Sequence, residues 1–295
     1  MIPATPDQTL AQIKAETLIE SLDWLREFHG RIVVVKFGGN AMVDDALQLA
    51  FAQDMAYLRF VGIRPVVVHG GGPQITAALK DLGIESEFRH GFRYTDETTI
   101  GVVRDVLRNQ VSAKLAELIQ DSGAETLVLS GEDDNLFRAE KVKAQTPEGE
   151  VDLGLVGEVR TVNPRAVLAA LEQGKVPVIS TVAPTVLGAL LNVNADLAAA
   201  SLAVALGAEK LLVLTDVAGL YSDWPNQDSL VSEISSGELR ALIPSLESGM
   251  IPKMQACLAA IEGGVPKAHI IDGRQPHSIL LEIFTQAGVG TQVTR

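Results

Sequence analysis

Two stretches of this chain share one construction: a short run of β-branched residues, a glycine turn, and the start of a helix. The first is Arg31 to Met42, RIVVVKFGGNAM; the second is Pro65 to Ile75, PVVVHGGGPQI. Ile32–Val35 and Pro65–His69 read as strands buried on both faces, as parallel strands between covering helices are. A helical pattern opens after each turn, from Asp44 to Phe60 and from Gln74 to Leu82, the second with proline at its start. Strand–turn–helix units joined in this way build a parallel sheet, and their turns share its carboxyl edge, where ligands bind. The expected fold class is therefore α/β: a three-layer αβα sandwich with a mainly parallel central sheet.

The first turn carries chemistry. Lys36 ends the strand, and Gly38 and Gly39 follow. A lysine charge, backbone that a ligand can approach closely, and unpaired helix N–H groups meet at one point. Alone, the stretch reads either as an anion site, phosphate above all, or as a tight turn with a solvated lysine. The second turn, Gly70-Gly71-Gly72, puts more weight on a ligand.

Net charge is −13 and the pI about 4.8, so no general basic field exists for nucleic acid, and a bound phosphate would rely on local lysines and backbone N–H groups. Aromatics make up only 4%, which fits β-branched strands under Ala- and Leu-rich helices. The single cysteine, Cys257, excludes an intrachain disulfide and a thiolate metal site; it reads as a small buried apolar residue. No apolar run reaches the roughly 18 residues of a spanning helix. Asp7, Lys14, Glu16 and Glu20 interrupt any signal-peptide core. A cytoplasmic protein without membrane or nucleic-acid partners is expected.

Before the first strand, residues 7–28 read as one amphipathic helix, with Leu10, Ile13, Leu18, Leu22, Leu25 and Phe28 at helical spacing. It has no strand partner, so its apolar face must lie on its own domain or on another subunit. After the second turn come an irregular basic patch, Arg89 to Tyr94, and a helix over 96–120. Strands are expected at 126–130 and 176–180, with β-hairpins over 132–163 at the rim of the sheet. Leu190 to Asp196 ends a strand and opens an Ala-rich helix capped by Gly207. A strand at 211–214 runs into Thr215-Asp216-Val217-Ala218-Gly219-Leu220, followed by a polar loop with Tyr221 and Trp224. Helices at 235–243 and 250–262, a strand at 269–271 and a last helix at 277–285 complete the chain.

The P-loop, the G-x-G-x-x-G dinucleotide fingerprint and the G-x-S-x-G elbow are all missing, as is metal-ligand spacing. Glycine turns, two lysines, an aspartate at a helix start and an arginine patch remain. Phosphoryl transfer needs such a set, because positioning and charge neutralisation dominate its transition state.

Six motifs, KFGGNAM, VVVHGGGPQI, GFRYTD, LLNVNAD, LTDVAGLY and GMIPKM, occur in one order over nearly the whole chain. The series resembles the N-acetylglutamate kinases of the amino acid kinase family. The resemblance implies ATP-dependent phosphorylation of the γ-carboxylate of N-acetyl-L-glutamate, with Mg²⁺ brought by the nucleotide. It implies that Lys36 and Lys253 stabilise the transferring phosphoryl group while Asp196 holds them. Gly71, Gly72, Arg93 and Asn192 would contact the acetylglutamate. Gly38 and Gly39 would face the phosphates, and Thr215, Asp216, Val217, Gly219 and Leu220 would line the ATP site.

The leading helix and the ending HSILLE…GVGT are similar to the arginine-inhibited, hexameric branch of that family, in which L-arginine sits between these segments. The resemblance implies a homo-oligomer and makes Trp24, Lys210, His269, Glu282, Gly288 and Gly290 the arginine candidates. It divides the chain into an oligomerisation helix (1–29), a substrate lobe (30–207) and an ATP lobe (208–295). Two departures bear on substrate choice: Leu191 stands where the family often has tyrosine, and the hairpin from Pro184 to Leu190 is short. The alternatives are a kinase for a longer acid such as N-acetylaminoadipate, a non-catalytic arginine sensor, and a Rossmann oxidoreductase, the last opposed by the missing fingerprint.

Overall fold

The computed structural model describes residues 6–89, 91–146, 149–285 and 288–295, so His90 of the basic patch lies outside the described residues. The leading segment is two helices, α1 (Pro6–Glu20) and α2 (Leu22–Phe28), where the sequence suggested one. They meet at Ser21, whose hydroxyl bonds back to the Leu18 carbonyl at 2.8 Å, a side-chain bond that competes with the helical ladder. The two parts differ in burial. Leu10, Ile13, Leu18 and Ile19 of α1 are exposed, whereas Phe28 of α2 is buried in the core and Trp24 and Leu25 rest on it.

β1 (Ile32–Phe37) is buried at every position. α3 (Asp45–Phe60) follows, with the Asp44 carboxylate accepting the Leu47 N–H at 3.0 Å as its N-cap. β2 (Arg64–His69) and α4 (Gly72–Asp81) repeat the unit. A small hairpin, β3 (Phe88–Arg89) and β4 (Phe92–Arg93), leads to α5 (Glu97–Asp105) and α6 (Ser112–Asp121). The single helix expected over 96–120 is interrupted by a π-helical stretch at Val106–Val111.

β5 (Thr126–Ser130) is followed by one long hairpin, β6 (Phe137–Thr146) and β7 (Gly149–Val162). After α7 (Arg165–Glu172) come β8 (Val176–Ser180), β9 (Val182–Pro184), β10 (Leu190–Val193) and α8 (Ala195–Leu206), with Gly207 left-handed at φ 59° as the expected C-cap. The remaining elements are β11 (Lys210–Thr215), β12 (Leu220–Tyr221), β13 (Leu230–Val231), β14 (Glu233–Ser235), α9 (Ser236–Leu242), α10 (Ile251–Glu262), β15 (Lys267–Asp272), α11 (Ser278–Phe284) and β16 (Thr291–Thr294).

Among the described residues the main sheet has eight strands in the order β14-β16-β15-β11-β1-β2-β8-β5. From β15 to β5 every pairing is parallel, and β16 runs antiparallel to β15. The β1–β11 pairing carries the sheet across the boundary near residue 207, so the two halves share one continuous sheet. Strand alternation explains the layers. Ile32 and Val34 face one core with α8 and α10, and Val33, Val35 and Phe37 face the other with α3 and α6. Cys257 is buried in the first core, where burial pushes its thiol pKa up.

The hairpin region departs from the sequence reading. β6 and β7 join β10 and β9 in a separate four-stranded sheet rather than several hairpins on the main sheet's rim. Its register shifts between Arg138/Ala139 and Lys141/Lys143 break the two-residue alternation, so the strands read as shorter than they are.

Candidate active site

Lys36 is two residues beyond Val34 on β1, so it shares the face covered by α8 and α10. There it meets the start of α8. Asn194 caps that helix, its Oδ1 accepting the Asp196 N–H at 2.8 Å and the Leu197 N–H at 3.2 Å, and this fixes Asp196 in the first turn. Lys36 Nζ lies 2.9 Å from Asp196 Oδ1, and Lys253 Nζ, from the first turn of α10, lies 3.2 Å from Asp196 Oδ2. One carboxylate thus spaces two ammonium groups.

Burial governs this triad. Burial alone would raise the Asp196 pKa, but the two lysines outweigh it and hold the carboxyl below its ordinary range. Burial pushes Lys36 below the usual lysine value, Lys253 adds to that, and Asp196 opposes it. Two positive charges on one negative leave a net positive charge, as an incoming phosphoryl group requires.

The glycines have steric reasons. A Cβ at Gly38 would collide with the Lys36 ammonium, so only glycine lets that side chain fold back along the turn. Gly39 is left-handed at φ 76°, and a Cβ there would stand 2.6 Å from Asp216 Oδ1. The Asp216 carboxylate accepts the Asn40 N–H at 2.8 Å, which ties the turn after β1 to the turn after β11.

At the second turn, a Cβ on Gly71 would lie 2.5 Å from Leu107 Cδ2. The Gly72 carbonyl accepts from Arg93 Nη2 at 3.0 Å, and the same nitrogen donates to Thr76 Oγ1 at 2.8 Å. Arg93 also donates to Ser86, and its guanidinium lies 4.7 Å from the Phe88 ring centroid. Burial lowers its pKa. Arg93 and Asn192 are joined through Thr95, whose hydroxyl donates to the Arg93 carbonyl at 2.9 Å and accepts from Asn192 Nδ2 at 3.2 Å. Thr95 is fully buried, and within GFRYTD nothing in the sequence marks this link. Leu191 alternates to the other face of β10 from Asn192 and is buried in the core against Gly157, whereas Val186 and Leu187 of the short hairpin are almost wholly exposed.

Residues 31–272 match the profile of the amino acid kinase family. The chain belongs to the amino acid kinase family. It is 60% identical over 291 residues to a protein of Leifsonia xyli subsp. xyli named acetylglutamate kinase, covering 98% of this chain and 96% of that protein. Among solved structures, N-acetylglutamate synthase from Neisseria gonorrhoeae complexed with coenzyme A and N-acetyl-glutamate superposes with a TM-score of 0.82 at 26% identity, covering 95% of this chain. The same synthase complexed with coenzyme A and L-arginine superposes with a TM-score of 0.77 at 25% identity. This chain spans 63% and 65% of those two synthase chains.

In this amino acid kinase the T-D-V-A-G turn, Thr215 to Gly219, contains Asp216 and follows directly from β11. The Thr215 carbonyl accepts the Gly273 N–H at 2.8 Å, and a Cβ at Gly219 would lie 2.6 Å from Thr291 Oγ1. Thr291 Oγ1 also accepts the Leu220 N–H at 2.8 Å. Val217 and Leu220 line an apolar cavity of about 80 Å³ with Tyr221, Trp224, Leu246 and Met250. In the sequence the two aromatics read as residues of a polar loop. Leu246 and Met250 come from a distant segment, and no local pattern signals that they close the cavity.

The kinase's six remaining candidates, drawn from both ends of the chain and from β11 and β15, also meet. Trp24, Lys210, His269, Glu282, Gly288 and Gly290 line one cavity of about 310 Å³, with Lys267, Ser232, Glu233 and Gln292 added by the fold. Glu282 lies 2.6 Å from His269 Nδ1 and 3.5 Å from Lys210 Nζ, and accepts the Val289 N–H at 2.9 Å. Burial alone would raise the Glu282 pKa, but the His269 hydrogen bond and the Lys210 charge bring it below the ordinary range. Lys210 Nζ sits 5.1 Å from the Phe28 ring centroid, which carries α2 into this site. Among the described residues no group of three or more His, Cys, Asp or Glu side chains is arranged to hold a metal ion. No helix among them is long and apolar enough to cross a membrane.

Proposed function

We propose that this chain is an acetylglutamate kinase, transferring the γ-phosphoryl group of ATP to the γ-carboxylate of N-acetyl-L-glutamate in arginine biosynthesis. The observation that carries the reading is the Lys36–Asp196–Lys253 clamp beside two glycine turns, with Lys36 and Asp196 buried, in a chain 60% identical to a named acetylglutamate kinase over nearly its full length.

The step is in-line displacement. A γ-carboxylate oxygen bonds to the γ-phosphorus, the bond to the β–γ bridging oxygen breaks, and N-acetyl-L-glutamyl 5-phosphate and ADP result. The attacking carboxylate is already ionised at neutral pH, so no general base is needed. Lys36 and Lys253 neutralise charge spreading over the equatorial oxygens, and Asp196 sets their spacing. Backbone N–H groups at Gly38 and Gly39 serve the phosphates, and Gly71, Gly72, Arg93 and Asn192 hold the acetylglutamate. Magnesium, brought by the nucleotide, would add to the neutralisation of phosphate charge that Lys36 and Lys253 supply. The apolar cavity beside Tyr221 and Trp224 suits the adenine.

L-arginine is the proposed inhibitor at the C-terminal cavity. Glu282 offers its guanidinium a two-bond partner, and Trp24 offers an aromatic wall. The deciding assay is ATP turnover with N-acetyl-L-glutamate, with and without L-arginine. Turnover suppressed by arginine is expected; absence of turnover overturns the kinase reading. For Glu282→Gln, the arginine concentration giving half of the variant's own uninhibited rate should rise at least about tenfold, the scale of losing one charge-assisted bond. An unshifted curve removes Glu282 from the site.

The exposed apolar residues of α1 support a homo-oligomer, a hexamer by the family resemblance, with α1 packed on another copy. Because Phe28 is buried in the core, the test deletes residues 1–20 and keeps α2. Sedimentation should report a smaller assembly that keeps its catalysis. An unchanged mass assigns α1 no assembly role.

A further inference from the structure

His69 stands one residue before the glycine turn, is wholly buried, and has no part in the chemistry above. It follows Val67 by two on β2, so it faces the α3–α6 side of the sheet, opposite the Lys36–Asp196 clamp. Its Nδ1 lies 2.8 Å from the Gly70 carbonyl oxygen and its Nε2 lies 2.6 Å from Ser112 Oγ. A carbonyl can only accept, so Nδ1 bears the hydrogen. The unprotonated Nε2 then accepts from the Ser112 hydroxyl, which fixes the tautomer. Burial, with the Lys36 charge nearby, pushes the ring's pKa down to about 4, so it is neutral at pH 7.

We propose that His69 is a positioning residue that holds the Gly70 carbonyl so that the Gly71 N–H is presented to the acetylglutamate; this rests on the reading that the glycine turn binds that substrate. The peptide joining Gly70 to Gly71 is planar and trans, so its C=O and N–H point in opposite directions. Drawing the carbonyl toward His69 turns the Gly71 N–H away from the buried side. Two further bonds brace the turn: Gly70 N–H to the Phe37 carbonyl at 3.1 Å, and Arg93 Nη2 to the Gly72 carbonyl at 3.0 Å.

The π-helical stretch serves both sides of this arrangement. It ends at Val111, next to Ser112, and its Leu107 and Val111 side chains would lie 2.5 and 3.4 Å from a Cβ on Gly71. The interruption that the sequence did not reveal thus seats Gly71 and brings the hydroxyl to His69 together. Such π turns recur at functional positions in helices.

The experiment compares wild type, His69→Asn, His69→Gln and Ser112→Ala in steady-state kinetics. It adds a ¹⁵N solid-state spectrum of histidine-labelled wild type at pH 7, with His69 assigned by its absence from His69→Asn. Asparagine places an amide N–H near the Nδ1 position, whereas glutamine reaches only toward Nε2. His69→Gln should raise KM for acetylglutamate about tenfold, the scale of misplacing one donor, with KM for ATP within about twofold. His69→Asn should recover most of that loss, Ser112→Ala should fall between, and the spectrum should show the Nδ1–H tautomer. An Nε2–H tautomer, an unmoved acetylglutamate KM in His69→Gln, or equal shifts in both substrates' KM values would overturn the proposal. A wild type that does not phosphorylate acetylglutamate overturns the functional reading instead, and the tautomer remains measurable on it.

Discussion

Lys36→Ala should lower kcat for acetylglutamate phosphorylation by roughly 10²–10³-fold, the cost of losing one preorganised transition-state charge contact. The Lys36 ammonium is buried and held by Asp196, so it is already oriented when charge develops on the phosphoryl oxygens. Its contact strengthens in the transition state, so the loss should fall on kcat, with KM for acetylglutamate moving little. Lys36→Arg should not restore the rate. The Lys36 ammonium meets Asp196 as a single point charge at 2.9 Å, and a planar guanidinium does not repeat that placement. Steady-state kinetics of both variants decide the matter. A defect confined to KM would make Lys36 a ground-state binding group, and a fully active arginine variant would show that a guanidinium can take the ammonium's place.

The parts of this architecture legible in the sequence are those set by local rules. The βα units around Gly38-Gly39 and Gly70-Gly72 combine buried β-branched runs with turns where a Cβ would collide. The cap at Gly207 follows from a φ requirement at one residue, and the helix opening near Asp44 from spacing over a few. The family motifs then marked Lys36, Asp196 and Lys253, which lie as many as 217 residues apart by their numbering and meet in one clamp.

What stayed hidden depends on contacts between distant segments. The π stretch at Val106–Val111 has no composition of its own; it is seen once Ser112 reaches His69 and Leu107 meets Gly71. The second sheet forms because β10 pairs with β7, which hairpin patterning alone does not specify. Thr95 is an ordinary threonine until it joins Arg93 to Asn192. The break at Ser21 separates an exposed α1 from a core-bound α2, and amphipathic spacing runs through both.

Asp196→Ala should be the most damaging single change, because it acts on rate and stability together. The carboxylate lies 2.9 and 3.2 Å from the two ammonium groups, and its loss leaves Lys36 buried and facing Lys253. Removing one partner of a buried ion pair costs about 3–5 kcal/mol, and a loss of this size is expected in denaturant unfolding at pH 7. With burial unopposed, the Lys36 pKa drops further and its side chain loses the partner that orients it, so kcat should fall at least as far as for Lys36→Ala, roughly 10³-fold. The pH dependence has a definite sign. Asp196 titrates below the ordinary carboxylate range when folded, so its stabilisation is complete above that range and fades as pH falls through the folded value. The gap between wild type and variant should therefore narrow on strong acidification. In the variant the unfolded chain binds the Lys36 proton more tightly than the folded one does, so variant stability should rise with pH on the alkaline side, up to the ordinary lysine value. Asp196→Asn keeps the shape and one acceptor but not the charge, so it should recover part of the stability and little of the rate. An asparagine variant with wild-type kcat, or an alanine variant as stable as wild type at pH 7, would show that the carboxylate's charge does not hold the clamp.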